Sequence, residues 1–296
     1  MARFKQYVLP VAIVLGLLFH NLCLKLAPAV PVLIFLILLL TFCAVDLRKL
    51  RLTRFDLELM GWQIIVSAAA YSAILLCGGS TILAEGVMMG FLSPVAASST
   101  VVSCMLGANR ERVTTYTIAG NLMVAVVAPI AFTLIGDHPE YSLATTYLLP
   151  FAKIGSTLAL PFFLALALQL WLPKVNNLIA SRTHWSYYVW AVALFITLGQ
   201  TIHYIITQGA THWHLILWLA GLSLAVCILQ FLVGRKLGQR HHDPVAGAQM
   251  MGQKNSAMGI WMANTFLTPL SAVFMATYSV YQNLYNAYQI SQKQQS

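Results

Sequence analysis

Apolar runs of about twenty residues recur along this chain, and each is long enough to cross a bilayer as a helix. One of them, PAVPVLIFLILLLTFCAV at 28–45, carries no charge at all. No ordinary soluble core hides runs of that kind in such number. Of 296 residues, 59% are hydrophobic and 8% charged, with mean hydropathy +0.76. Soluble domains carry roughly a quarter charged residues. The chain therefore reads as an all-α integral membrane protein.

Ten spans are predicted, at 7–24, 29–45, 57–77, 81–106, 113–135, 145–172, 186–207, 213–234, 244–267 and 269–290. The first, which follows Arg3 and Lys5, has the look of a signal peptide, but the second run follows almost at once and no small-residue cleavage site parts them. It is read as a retained helix. Basic residues test the order. Fourteen of the 17 Lys and Arg residues fall on one side if the termini are cytoplasmic: Arg3, Lys5, Arg48, Lys49, Arg51, Arg54, Arg110, Arg112, Lys174, Arg182, Arg235, Lys236, Arg240 and Lys293. Lys25 alone falls on an outer loop, and the outer connections 136–142 and 208–214 lack Lys and Arg. This bias predicts cytoplasmic termini and an inner-membrane location. It also accounts for the net charge of +9 without nucleic acid. The bilayer is the expected partner; nothing in the sequence fixes an oligomeric state. Cys23, Cys43, Cys77, Cys104 and Cys227 lie in apolar runs without CxxC spacing and read as small apolar residues.

Five spans per half, 1–140 and 141–296, means that the second half enters from the opposite side, the condition for an inverted repeat. Spans four and nine hold matching places and are both interrupted. In FLSPVAASSTVVSC, Pro94 lacks an amide donor and disfavours helix at Ser93, with Ser98, Ser99, Thr100 and Ser103 following. In MMGQKNSAMG, Gly252 precedes Gln253, Lys254, Asn255 and Ser256. Unwound backbone at membrane depth is tolerated where it lines a cavity or is buried in protein. Two crossing breaks would offer helix N-termini to an anion and carbonyls to a cation. The alternative is that small and hydroxyl residues merely let helices approach. Lys254 is the conspicuous member, since an ammonium at mid-span costs several kcal/mol unless paired or hydrated; otherwise its stem snorkels to an interface.

At these two motifs the chain resembles the bile acid:sodium symporter superfamily. PVAASST matches its proline-and-small-residue signature through Pro94, Ser98, Ser99 and Thr100; Thr117 stands twelve residues before Pro129, as in the family; and MMGQKN resembles Glu-x-Gly-x-Gln-Asn. The resemblance covers nearly the whole chain. It implies ten helices in two inverted five-helix repeats, with helices four and nine broken and crossing. Helices one, two, six and seven would form a bundle that rocks against the rest. It implies transport of an organic anion, from bile acids to small carboxylates such as pantoate or pyruvate. It places Ser99, Thr100 and Thr117 at one sodium site, and Gln63 with the crossover of helix nine at another. Two departures stand out: Met250 replaces the glutamate shared by both sodium sites, and Lys254 replaces the glutamine. A second positive charge about 4 Å from a sodium ion repels it by roughly 4 kcal/mol at an effective dielectric of 20, about a thousandfold in affinity. The Lys254 ammonium is therefore expected to take the place of a coupling sodium, bonded to crossover carbonyls and to the hydroxyls of Ser99 or Thr100. It would serve either as a fixed counter-ion for a substrate carboxylate or as a group that loses and regains a proton. No other cofactor is expected.

Other polar residues have milder readings. Lys153 snorkels from span six, and Glu85, near the outer surface, is read as a solvated carboxylate, the alternatives being a pair with Lys153 or a gate to an outer vestibule. The His241-His242-Asp243 string is a solvated loop, and His203, His212 and His214 mark an interface. Tyr278, Tyr281, Tyr285 and Tyr288 form an aromatic belt or packing stripe, and Gln200, Asn264 and Asn121 line a pathway or bridge helices. Competing with transport are sodium symport of the family's usual kind, a membrane-embedded enzyme using Ser99 and Lys254, and a channel or sensor. The sequence carries no HExxH, paired carboxylates or pore-lining charge rings to favour the last two.

Overall fold

A computed structural model describes residues 8–96, 99–135 and 143–295. The described residues are helical throughout, and the only extended pairing among them is an isolated antiparallel bridge between Val95 and Lys254. In chain order the helices are α1 (Val8–Leu26), α2 (Val30–Cys43), α3 (Arg54–Leu76), α4 (Thr81–Leu92), α5 (Ser99–Met105) and α6 (Arg110–Ile135). There follow α7 (Leu143–Trp171), α8 (Pro173–Ala180), α9 (Trp185–Arg240), α10 (Pro244–Gly252), α11 (Ser256–Phe266) and α12 (Ala272–Gln295).

Six stretches among the described residues are long and apolar enough to cross a membrane: Val14–Cys43, Arg54–Leu76, Arg110–Ile135, Ala152–Trp171, Tyr188–Thr207 and Thr211–Arg240. The protein is an all-helical integral membrane protein. Two expected connections are tighter than the sequence implied. A 3-10 turn, Ala27–Ala29, joins α1 to α2, and the non-helical dihedrals in α1 fall at Phe19. Within α9 only His212 (φ −122°, ψ 24°) leaves the helical region, where a loop over 208–214 was expected. The connection 136–142 lies outside the described residues.

The chain divides into two compact units, one drawn from residues up to Leu50 with Leu122–Ile206, the other from Arg51–Asn121 with Thr207–Ser296. The first holds sequence spans one, two, six and seven; the second holds three, four, eight, nine and ten; span five contributes to both.

Within the first unit, α2 is apolar on all sides, so its C-terminal carbonyls must find partners from neighbours. Gln169 of α7 meets one of them and binds the backbone just beyond. Its Nε2 donates to Val45 O (2.7 Å) and Phe42 O (3.2 Å), while its Oε1 accepts from Leu47 N (3.1 Å). Asn176 Nδ2 and Thr183 Oγ1 donate to Cys43 O and Leu40 O, both at 3.2 Å. Beyond this, Asp46 caps the turn Leu47–Lys49, and the hydrogen bond from the Arg48 side chain (3.0 Å) holds its carboxyl below the usual carboxylate range. Lys153 is exposed on α7.

In the second unit, Thr53 and Asp56 form a capping box that starts α3. Glu85 is buried rather than solvated, its carboxylate accepting from Thr268 N at 3.0 Å. The loop joining α9 to α10 is likewise fixed rather than free. His241 stacks on Phe55 with centroids 4.6 Å apart, and its Nε2 lies 3.0 Å from Glu58 Oε2. Asp243 caps α10 through Ala246 N (3.0 Å), accepts from Asn109 N (3.2 Å) and faces Arg112 Nη1 at 3.7 Å. A cavity of about 500 Å³ opens beside these groups.

Candidate functional site

The site is the place in the second unit where α4 and α10 end and the chain unwinds. Helix α4 stops because Pro94 forces Ser93 out of the helical region, to φ −51° and ψ 137°. A helix end leaves carbonyls without intrahelical donors. Here every carbonyl from Met89 to Ser93 has found one. Met89 O accepts from Ser93 N (2.9 Å), and Gly90 O from Gln230 Nε2 (3.0 Å). Phe91 O accepts from Lys254 Nζ (2.9 Å), while Leu92 O and Ser93 O both accept from Gln63 Nε2 (2.9 and 3.2 Å). Gln63 is held in turn by Tyr116, whose hydroxyl donates to its Oε1 at 3.2 Å.

The second interruption falls after Gly252, with Gln253 at φ −93°, ψ 95° and Asn255 at φ −76°, ψ 89°. Glycine is required at 252 by a close approach: a Cβ there would collide with the Phe231 ring. The two unwound segments then pair. Ala96 N donates to Gln253 O (3.1 Å) and Asn255 N to Pro94 O (2.8 Å), which sets Lys254 opposite Val95. On the other edge of Lys254, Gln282 of α12 behaves as a further strand: its Oε1 accepts from Lys254 N (2.7 Å) and its Nε2 donates to Lys254 O (2.9 Å) and Ser256 Oγ (3.0 Å). Tyr278 donates to Gly252 O (2.8 Å) and accepts from Gln230 (2.9 Å), so one hydroxyl ties the end of α10 to the amide that caps α4. Asn255 starts α11, its Oδ1 accepting from Met258 N at 3.2 Å.

Lys254 is 0% exposed. Among the described residues its ammonium has one hydrogen-bond partner, the Phe91 carbonyl, and no carboxylate within ion-pair distance. The negative end of the α4 macrodipole supplies part of the compensation that a carboxylate would.

The fold thus gathers Gln63, Pro94, Gly252, Gln253, Lys254, Asn255 and Ser256 around one crossing. Ser99, Thr100 and Thr117 are bonded to groups other than Lys254, while the Ser103 hydroxyl is buried with no partner among the described residues. Ser99 Oγ donates to Gln249 O at 3.5 Å; Thr100 Oγ1 accepts from Thr114 Oγ1 at 3.4 Å; and Thr117 Oγ1 donates to Val113 O of its own helix at 2.7 Å. Of the bonds expected from Lys254, the one to a crossover carbonyl is present, at Phe91 O, and those to the Ser99 or Thr100 hydroxyls are not, so Ser99 and Lys254 make no dyad. Ser98 lies outside the described residues. Met250 is fully buried. Gln230 and Gln282 are central yet were not singled out from the sequence, and Tyr278, read as part of an aromatic belt or packing stripe, turns out to bind the crossing through its hydroxyl. A signal was available for Gln230, a single amide in an otherwise apolar run; Gln282 stands among the other amides of α12 and had none. Gln249 Nε2 also donates to Asn286 Oδ1 and Gln289 Oε1, each at 3.0 Å, while Gln249 Oε1 and Asn286 Nδ2 are buried with no partner among the described residues.

Charge rather than a shortage of oxygens weighs against a sodium ion at this crossing: position 250 offers a thioether instead of a carboxylate, and the Lys254 ammonium, already on the Phe91 carbonyl, would repel a second cation beside it. No family model matches the chain, and no curated protein matches it.

Proposed function

We propose that this protein is a secondary transporter of an organic anion, working by alternating access without sodium, with the Lys254 ammonium in the role a coupling cation plays in the bile acid:sodium symporter superfamily. The observation that carries this reading is the fully buried Lys254 Nζ bonded to Phe91 O, at a helix end inside a pair of crossed, unwound segments. A protein that needed only to span the membrane would gain nothing from a buried, carboxylate-free ammonium beside two broken helices.

Ten crossings in two inverted repeats follow on this reading. The helical run Val8–Cys43 holds two. The 12 residues of α4 and seven of α5 rise about 18 and 10 Å, and the nine of α10 and 11 of α11 about 14 and 16 Å. Each pair end to end matches a hydrocarbon core of about 30 Å, whereas no half does so alone. The last crossing is α12. Both breaks then lie near mid-membrane, where an anion entering the second unit would meet Lys254, with Asn286 Nδ2 as a free donor. The bundle of spans one, two, six and seven would move against this unit to alternate access.

The test is thermal unfolding of purified protein in sodium and in potassium at equal ionic strength, followed by tracer uptake of pyruvate, pantoate and taurocholate into proteoliposomes. Binding at a hundredfold excess over Kd stabilises by about 2.7 kcal/mol. The wild type should show no sodium-specific shift, uptake should survive replacement of sodium by potassium, and Lys254→Gln should abolish that uptake. A sodium-specific shift in the wild type would overturn the reading and restore ordinary sodium symport.

A further inference from the structure

An apolar groove runs down the outside of the second unit between α9 and α12. Its volume is about 330 Å³, its rims include Leu224, Ile228, Leu232 and Leu284, and its floor is the Phe231 and Tyr285 rings, 4.5 Å apart by centroid. The rim residues are 42, 51, 58 and 64% exposed, in that order, so the groove is open. Residues 224, 228, 231 and 232 share one helix face, and the next position on that face is Arg235. From Leu224 to Arg235 the helix rises about 16 Å. That is close to half of a hydrocarbon core of about 30 Å, the depth of one leaflet.

The Arg235 end is strongly positive. Arg235, Lys236 and Arg240 are exposed, and none makes a hydrogen bond or ion pair among the described residues. Neither Thr211–Arg240 nor α12 contains an Asp or Glu. Nearby Asp243 is committed to Arg112, Asn109 and the start of α10. Tyr288, 61% exposed, continues the Tyr281 and Tyr285 face of α12 toward the same end.

We infer that this groove is a binding site for an anionic glycerophospholipid of the leaflet at the Arg235 end. One acyl chain lies along the groove, and the phosphate is held by Arg235. A basic cluster at the end of an interhelical groove is the arrangement that selects anionic headgroups. A zwitterionic lipid would bring its own cation into the cluster. A second copy packed about a two-fold axis would set Arg235 and Lys236 against their like. Because the Phe231 ring also rests on Gly252, an acyl chain in the groove would bear on the end of α10. The site does not depend on the transport reading.

The experiment compares dioleoyl phosphatidylglycerol with dioleoyl phosphatidylcholine at equal mole fraction in detergent micelles. Bound lipid is counted by native mass spectrometry, and the unfolding temperature is followed in parallel. Wild type should retain one phosphatidylglycerol per chain in preference to phosphatidylcholine and melt higher with it. Arg235→Gln should weaken that retention about fivefold, the effect of one basic residue near a lipid surface. Ile228→Trp, which fills the groove at a lipid-facing position, should abolish it with the charge intact. Both variants should keep the unfolding temperature of the lipid-free wild type, which separates lost binding from lost folding. Inorganic phosphate at the same concentration should give no shift. Equal retention of the two lipids, or phosphatidylglycerol retention unchanged in both variants, would overturn the inference. So would a dimer that Ile228→Trp splits, which would assign the groove to a second copy.

Discussion

Gln282→Leu should be among the most damaging near-isosteric changes in the protein, although nothing about its position in the sequence marks it so. The side chain is 5% exposed and makes three hydrogen bonds, two of them to the backbone of Lys254. Side-chain hydrogen bonds between membrane helices average about 0.6 kcal/mol, because the unfolded chain in the bilayer also finds partners. Three such bonds would give about 2 kcal/mol. The Lys254 amide differs from that average. Its N–H and C=O sit in an unwound segment where no i±4 partner exists, and an unsatisfied buried group costs about 1–3 kcal/mol. The expected loss is therefore about 2–4 kcal/mol. It can be measured by SDS titration in mixed micelles, with the chain's seven Trp residues as fluorescence reporter. Asn283→Leu is the control, since the neighbouring amide is exposed and donates only within its own helix, to Ser279 O at 2.7 Å. If the two variants lose equal stability, Gln282 is not what holds the Lys254 backbone, and the crossing is built differently.

Gly252→Ala should cost about 1–3 kcal/mol in the same titration, because the new methyl must displace the Phe231 ring; a neutral result would show that the ring has room to yield. Asp243→Ala removes the α10 cap and the Arg112 contact and should cost about 0.5–2 kcal/mol, with the added signature of faster amide exchange at Ala246. The lowered pKa of Asp46 predicts a small stabilisation that is complete above the ordinary carboxylate pKa and is lost as pH falls through its depressed value in the folded protein. Since that side chain is solvent-facing, Asp46→Asn should leave the unfolding temperature nearly unchanged at pH 7, and a large drop would place the carboxylate in a role the structure does not give it.

What the sequence determined by itself is what depends on composition and on local backbone chemistry. Apolar runs of membrane length dictate helices, and the helices are there. Pro94 dictates a break at Ser93 because a ring on the nitrogen crowds the residue before it, and α4 ends at Leu92. Gly252 with an amide-rich string after it dictates the second break, and α10 ends there. The prominence of Lys254 was also legible, since a lone ammonium in an apolar run is costly wherever it points. Its partner was legible only in kind, as a crossover carbonyl among other candidates. Whether it reaches a serine hydroxyl, an interface or a carbonyl depends on which strand edge faces it, and that follows from pairing between residues some 160 positions apart. The same is true of Gln63, Gln230 and Gln282. In sequence nothing about Gln230 or Gln282 says that it faces a helix break, and Gln63 was marked only by the family resemblance. Only the packing of α3, α9 and α12 against the two breaks turns them into caps for carbonyls that would otherwise be buried without a donor. Glu85 and the His241–Asp243 string were misread for that reason too: their partners, Thr268, Glu58 and Asn109, are brought to them by the fold. A chain specifies where its backbone must leave the helix, but the tertiary structure decides which side chains satisfy the groups that are thereby exposed.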